Sequence, residues 1–106
     1  MIILNKNESF DKLIKNNNLT IIQFGSDSCG PCFSIKNKID EWLKKHPNVD
    51  NRYIPIELFP EIAAQHDVFG VPSTIVYYGG KEVVRGSRYY SLEEIFLKCE
   101  RLEFMI

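Results

Sequence analysis

Apolar positions recur along this chain at two spacings, one suited to helices and one to buried strands. Ile2, Ile3 and Leu4 form a short apolar start that predicts an edge strand, and Phe10, Leu13 and Ile14 then recur at helical spacing between Ser9 and Asn16. The run Asn16-Asn17-Asn18 predicts the end of that helix. Residues 19–24 are an almost unbroken apolar run rich in β-branched side chains, the pattern of a strand covered on both faces. Beyond it, Ile35, Ile39, Trp42 and Leu43 fall at i, i+4, i+7 and i+8, a stripe for a helix ending near His46-Pro47. Its lysines, Lys36, Lys38, Lys44 and Lys45, mostly face away as a solvated surface.

Tyr53, Ile54 and Ile56 predict a further strand, and Pro60 suits the first turn of a short helix through Ile62, Ala63 and Ala64. Strands follow over 74–78 and 82–85, joined by Gly79-Gly80, a pair that accepts the positive φ of a tight hairpin turn. Ser91-Leu92-Glu93-Glu94 has capping-box spacing and opens a last helix whose stripe is Leu92, Ile95, Phe96, Cys99 and Leu102. The order β-α-β-α-β-α-β-β-α predicts an α/β fold. Strands joined through helices imply parallel pairing and the closing hairpin adds antiparallel strands, which gives a mixed sheet of about five strands flanked by four helices.

At 106 residues, 44% hydrophobic and 25% charged, the chain fits one domain, residues 1–106, with a single core. Thirteen Lys and Arg against fourteen Asp and Glu, with no basic tail, argue against a nucleic-acid partner. The opening Met1-Ile2-Ile3-Leu4 is too short and unflanked for a signal peptide or a membrane span, so the expected location is the cytoplasm, with no membrane partner. Three cysteines, an odd number, argue against a structural disulfide framework and for reactive or metal-binding thiols.

Cys29-Gly30-Pro31-Cys32 follows the end of the buried strand and opens the next helix. Unsatisfied N–H groups and the helix dipole favour a thiolate there by ~0.3–1 kcal/mol, and by ~2 kcal/mol when partly buried. The larger figure lowers a thiol pKa by about 1.5. Two intervening residues let the second sulfur reach the first. Pro31 suits the first turn and Gly30 leaves the approach to Cys29 open. The order makes Cys29 the attacking thiol and Cys32 the resolving one.

With Phe24 ending a buried strand, Cys29-Gly30-Pro31-Cys32, Gly70-Val71-Pro72-Ser73 and the Gly79-Gly80 hairpin before a closing helix, nearly the whole chain resembles the thioredoxin family. The resemblance implies the thioredoxin fold and a monomeric protein-disulfide reductase that works through a reversible Cys29–Cys32 disulfide without a bound cofactor. It implies protein disulfides as substrates and a thioredoxin reductase as electron donor. It also implies that Pro72 is cis and lies against the sulfurs, with Val71 offering backbone groups to a substrate strand.

Four positions depart from the family pattern. The buried acid that usually accepts the resolving thiol's proton is Gln23, which cannot titrate, and the lysine beside it aligns with Tyr53. The positions that usually carry Trp before the first cysteine are Gly25 and Ser28, so substrate contact differs. Phe69 is equally a replacement for that apolar surface or a core residue.

One Cys-x-x-Cys is half a zinc site, and Cys99, His46 and His66 lack the spacing to complete it, so no metal is expected. Cys99, in the last helix's stripe, reads as a small buried hydrophobe, and both histidines as structural or surface residues. A Cys-His hydrolase would want an orienting third group, and no motif supplies one. The competing function is a binding or redox-sensing module that keeps the scaffold with little general reductase activity.

Overall fold

Seven consecutive buried residues, Leu19–Gly25, form the central strand β1. The computed structural model describes residues 1–16 and 19–105, so the helix end expected at Asn17 and Asn18 lies outside the described residues. The other elements are α1 (Phe10–Asn16), α2 (Gly30–Lys44), β2 (Asp50–Pro55), α3 (Pro60–Gln65), β3 (Ser73–Tyr78), β4 (Lys81–Ser87) and α4 (Leu92–Met105). Sheet order is β2-β1-β3-β4. β1 pairs in parallel with β2 and antiparallel with β3, and β3 pairs antiparallel with β4.

Two expectations change. The sheet has four strands, because the N-terminal segment makes one parallel bridge, Ile3 to Tyr53, before the backbone turns away. Asn5 causes the turn: its carbonyl accepts from Glu8 N–H at 3.0 Å and its side chain from Asn7 N–H at 2.9 Å. The passage through α3 also fails to produce a parallel neighbour. Six residues of helix span about 9 Å, too short to return the chain along the sheet. β3 therefore starts beside the end of β1 and runs back antiparallel, pairing Phe24 with Ser73 and Leu19 with Tyr78.

Alternation along β1 divides the core into two layers. Ile22 and Phe24 pack with Phe10, Ile14, Ile54 and Ile75 under α1 and α3. Leu19 and Ile21 face Ile39 of α2 and Leu92, Ile95 and Cys99 of α4. The far end of α2 is clamped to α4 by rings: Trp42 stacks on Phe96 at 4.8 Å and on His46 at 3.9 Å, and its indole N–H donates to Glu100 at 2.9 Å. His46 Nδ1 lies 2.6 Å from Glu103. Gly79 and Gly80, at φ 60° and 85°, close the β3–β4 hairpin in the region that favours glycine.

Ser91 caps α4 by accepting from Glu94 N–H at 3.2 Å. Replacing it with Ala is expected to cost about 1 kcal/mol, read as a lower denaturant midpoint at unchanged slope. Burial, reinforced by Glu103 and Glu100, pushes the Cys99 thiol up to about 12. A thiol pKa raised on folding gives stability that is complete below the unfolded value near 9 and is lost as pH climbs towards the folded one. Between pH 8 and 11 the wild-type denaturant midpoint should therefore fall more steeply than that of Cys99→Ala. In peptide mapping, Cys99 should stay unmodified by a thiol reagent until the fold is opened.

Candidate functional site

β1 ends at Gly25, and after three intervening residues the chain enters α2 with Cys29 at its N-cap, at φ −103° and ψ 102°. Pro31 sits in the first turn, where no intrahelical N–H bond is lost. Cys29 N–H donates to Ser26 O at 3.1 Å, and Cys32 N–H to Cys29 O at 3.2 Å. Cys29 and Cys32 form a disulfide with their Cα atoms 5.4 Å apart. Cys32 is fully buried, while Cys29 is half-buried and Gly30 and Pro31 are exposed.

The loop that delivers Cys29 is held by a carboxylate beyond β2. Glu57 Oε2 accepts from Ser26 Oγ and from Asp27 N–H, both at 3.0 Å, and Ser26 Oγ lies 3.1 Å from Ser28 Oγ. The Asp27 N–H bond, then Glu57's own N–H and the Ser26 hydroxyl, hold the Glu57 carboxyl below the usual carboxylate range. Ser28 is exposed at the rim beside Cys29. No local pattern marks this clamp, because its partners lie 30 and 31 residues apart.

Gln23 is fully buried on the α2 face of β1, and its Nε2 donates to Cys32 O at 2.9 Å. Its Oε1 is buried with no partner among the described residues. Tyr53 stands directly opposite Gln23 in the β1–β2 register, as the alignment with the family implied. The Tyr53 ring fills the space over Gly25, where even a Cβ would collide with it, and Lys36 Nζ caps that ring at 5.1 Å. The buried Tyr53 ring of the neighbouring strand thus supplies aromatic bulk where position 25 has none. Burial, then the charges of Asp27 and Glu57, raises the Tyr53 phenol above its ordinary range.

The Val71-Pro72 peptide is cis. Its loop is tied to the end of β4: Arg88 N–H donates to Pro72 O at 2.7 Å, and Ser73 Oγ donates to Gly70 O at 2.6 Å while lying 3.0 Å from Ser87 Oγ. Pro31, Val71, Pro72, Arg88 and Tyr89 line one cleft of about 190 Å³, so the turn between the cysteines faces the proline loop. Phe69 is 80% exposed, which removes it from the core, and it borders a second, apolar groove with Ile56, Pro60 and Val71. The structure thus gathers Cys29, Gly30, Pro31, Cys32, Ser28, Gln23, Val71 and Pro72 at one edge of the sheet, with Phe69 at its flank. Cys99 lies apart, in the core under α4, and no three His, Cys, Asp or Glu among the described residues gather as metal ligands. Tyr53, Glu57 and Arg88 join the site, and residue type alone did not single them out as partners.

Residues 1–98 match the family model described as Thioredoxin. Over 79 residues the chain is 32% identical to Thioredoxin H-type of Fagopyrum esculentum, covering 74% of this chain and 68% of that one. It is 26% identical over 76 residues to Thioredoxin-2 of Pyricularia oryzae, spanning 72% of this chain but 44% of that protein's length. The solved thioredoxin of Fasciola hepatica superposes with a TM-score of 0.80 at 29% identity, over 92% of this chain and 98% of that one. A family match over nearly the full length, joined to a bonded Cys-x-x-Cys at the mouth of α2, makes this chain a member of the thioredoxin family and a thiol–disulfide oxidoreductase.

Proposed function

We propose that the protein reduces disulfides of other proteins, with Cys29 as nucleophile and Cys32 as resolving thiol. The observation that carries this is their unequal burial at a helix N-terminus, Cys29 half-buried and Cys32 fully buried. In the reduced protein the Cys29 thiolate attacks one sulfur of the substrate disulfide. The substrate S–S bond breaks, one substrate thiolate leaves and takes up a proton, and a mixed disulfide forms. The Cys32 thiol loses its proton and attacks Cys29 Sγ, the mixed disulfide breaks, and the second substrate thiol departs. Two electrons pass to the substrate and the Cys29–Cys32 disulfide remains, to be reduced again by a dithiol donor such as a thioredoxin reductase. The protein's own sulfurs carry the electrons, with no bound cofactor, and the cycle suits the reducing cytoplasm.

A substrate strand lies along Val71, whose backbone supplies strand-addition bonds, with Pro72 and Ser28 shaping the approach and Phe69 extending the apolar flank. Gly30 and Pro31 keep the nucleophile open and start α2. Gln23 tunes the second step. It fixes the Cys32 carbonyl but cannot take a proton, so resolution depends on the thiols themselves and on solvent.

Cys32→Ser should trap protein substrates as mixed disulfides on Cys29, while Cys29→Ser traps none and abolishes reduction of insulin. Equal trapping by both would exclude the assignment. Gln23→Asp places a carboxyl in a fully buried position without a cationic partner on the neighbouring strand, so desolvation raises its pKa. A carboxyl pKa raised on folding makes the variant lose stability as pH climbs above the unfolded value near 4. Single-turnover decay of the mixed disulfide between pH 5 and 9 should be faster in Gln23→Asp with an added ionisation, alongside a lower denaturant midpoint. An identical pH profile in the two proteins would show that Gln23 does not limit resolution.

A further inference from the structure

Arg88 stands where the cleft beside the disulfide meets the end of β4, and three independent features mark it. Its backbone adopts φ 63°, a left-handed conformation that glycine fits best and a branched or bulky side chain disfavours. Its guanidinium lies against Gly70, where an added Cβ would collide with Arg88 Nε. Gly70 has no positive φ of its own to require glycine, so what its missing side chain provides is room for Arg88. Finally, Arg52 and Arg85 are held in ion pairs with Glu8, Asp50 and Glu82, whereas Arg88 forms no ion pair among the described residues. A strained backbone, a matched glycine and an unpaired cation converge on the cleft that Pro31 and Pro72 share.

We propose that Arg88 selects disulfide substrates carrying an acidic side chain next to the attacked cysteine, pairing with that carboxylate in the cleft it shares with Pro31, Val71, Pro72 and Tyr89. The planar guanidinium presents two parallel N–H donors, which match a carboxylate. Tyr89, 97% exposed at the lip of the same cleft, offers an aromatic surface to the substrate chain beyond the acid. Beyond β2, at the opposite edge of the sheet from β4, the Glu57 carboxylate is fixed against Ser26 and Asp27. A substrate carboxylate is therefore drawn to the Arg88 side and repelled from the other, which sets the direction in which the peptide lies across Cys29.

This selectivity rests on the protein-disulfide reduction proposed above, and one experiment separates the two. Three disulfide-linked peptides that differ only in carrying Glu, Gln or Lys on both sides of the cysteine are reduced by the prereduced protein, and the second-order rate constants are measured at 20 mM and 500 mM salt. The Glu peptide should react about 3-fold faster than the Gln peptide and the Lys peptide slower still, with the differences shrinking at high salt. Arg88→Gly, which suits the backbone conformation, should bring the Glu-to-Gln ratio to about one, and Arg88→Glu should invert the order. Thermal unfolding of each variant confirms that the folded protein is compared. Equal rates for the three peptides in the wild type, or an unchanged ratio in folded Arg88→Gly, would overturn the selectivity and leave reductase activity standing. No reduction of any peptide would overturn the reductase function itself and the selectivity with it.

Discussion

The site depends on the complete burial of β1. A strand with all seven residues covered cannot slip, because a shift of one residue would exchange the apolar sets of two packed layers. Its register fixes Gln23 between Tyr53 and Thr74, and Phe24 between Ile54 and Ser73. Everything at the carboxyl end of the sheet inherits that precision: the loop to Cys29, the Glu57 clamp that follows β2 and the proline loop that precedes β3. The helix that carries both cysteines then has one allowed start. α2 lays Ile39 on the layer that contains Leu19 and Ile21, while the Gln23 amide holds its first turn through the Cys32 carbonyl.

Around the disulfide the polar groups are divided by position. The interior carries uncharged Gln23, with the Tyr53 ring on the adjoining strand, and the buried polar side chains among the described residues are all uncharged. Charge is moved to the rim, with Glu57 on one side and Arg88 on the other. Removing a buried charge pair spares the desolvation that such a pair carries. Tyr53 over Gly25 shows a related exchange of parts: the aromatic bulk near the first cysteine comes from β2, and only glycine at position 25 leaves room for it.

Much of this was legible in the residue pattern. The uninterrupted apolar run of β1, the stripe of α2, Pro60 at the start of α3, the Gly79-Gly80 turn and Ser91 before α4 each follow local rules, and each formed where those rules put it. The cysteine pair was legible because its chemistry needs a strand end and a helix start in immediate succession. The first apolar segment misled, since three apolar residues look like a strand whether or not the next residues turn away, and Asn5 turns them. The direction of β3 was hidden because the pattern gives elements and not the length of helix needed to recross a sheet. Glu57, Arg88 and the covering role of Tyr53 were invisible for a different reason: each acts through a partner distant in sequence, and nothing in Glu, Arg or Tyr alone says which loop it will meet.

The Trp42 stack adds an optical consequence. The chain has a single tryptophan, ten residues beyond Cys32 along α2, or about 15 Å at 1.5 Å per residue. Its indole is sandwiched by Phe96 and His46 and anchored to Glu100, away from the sulfur chemistry at the other end of the helix. Its emission is therefore a gauge of whether α2 and α4 are docked, and it is insulated from the electron count of the disulfide. In this protein the intrinsic fluorophore and the redox centre occupy opposite ends of one helix, so folding and redox state can be followed as separate signals in a single sample.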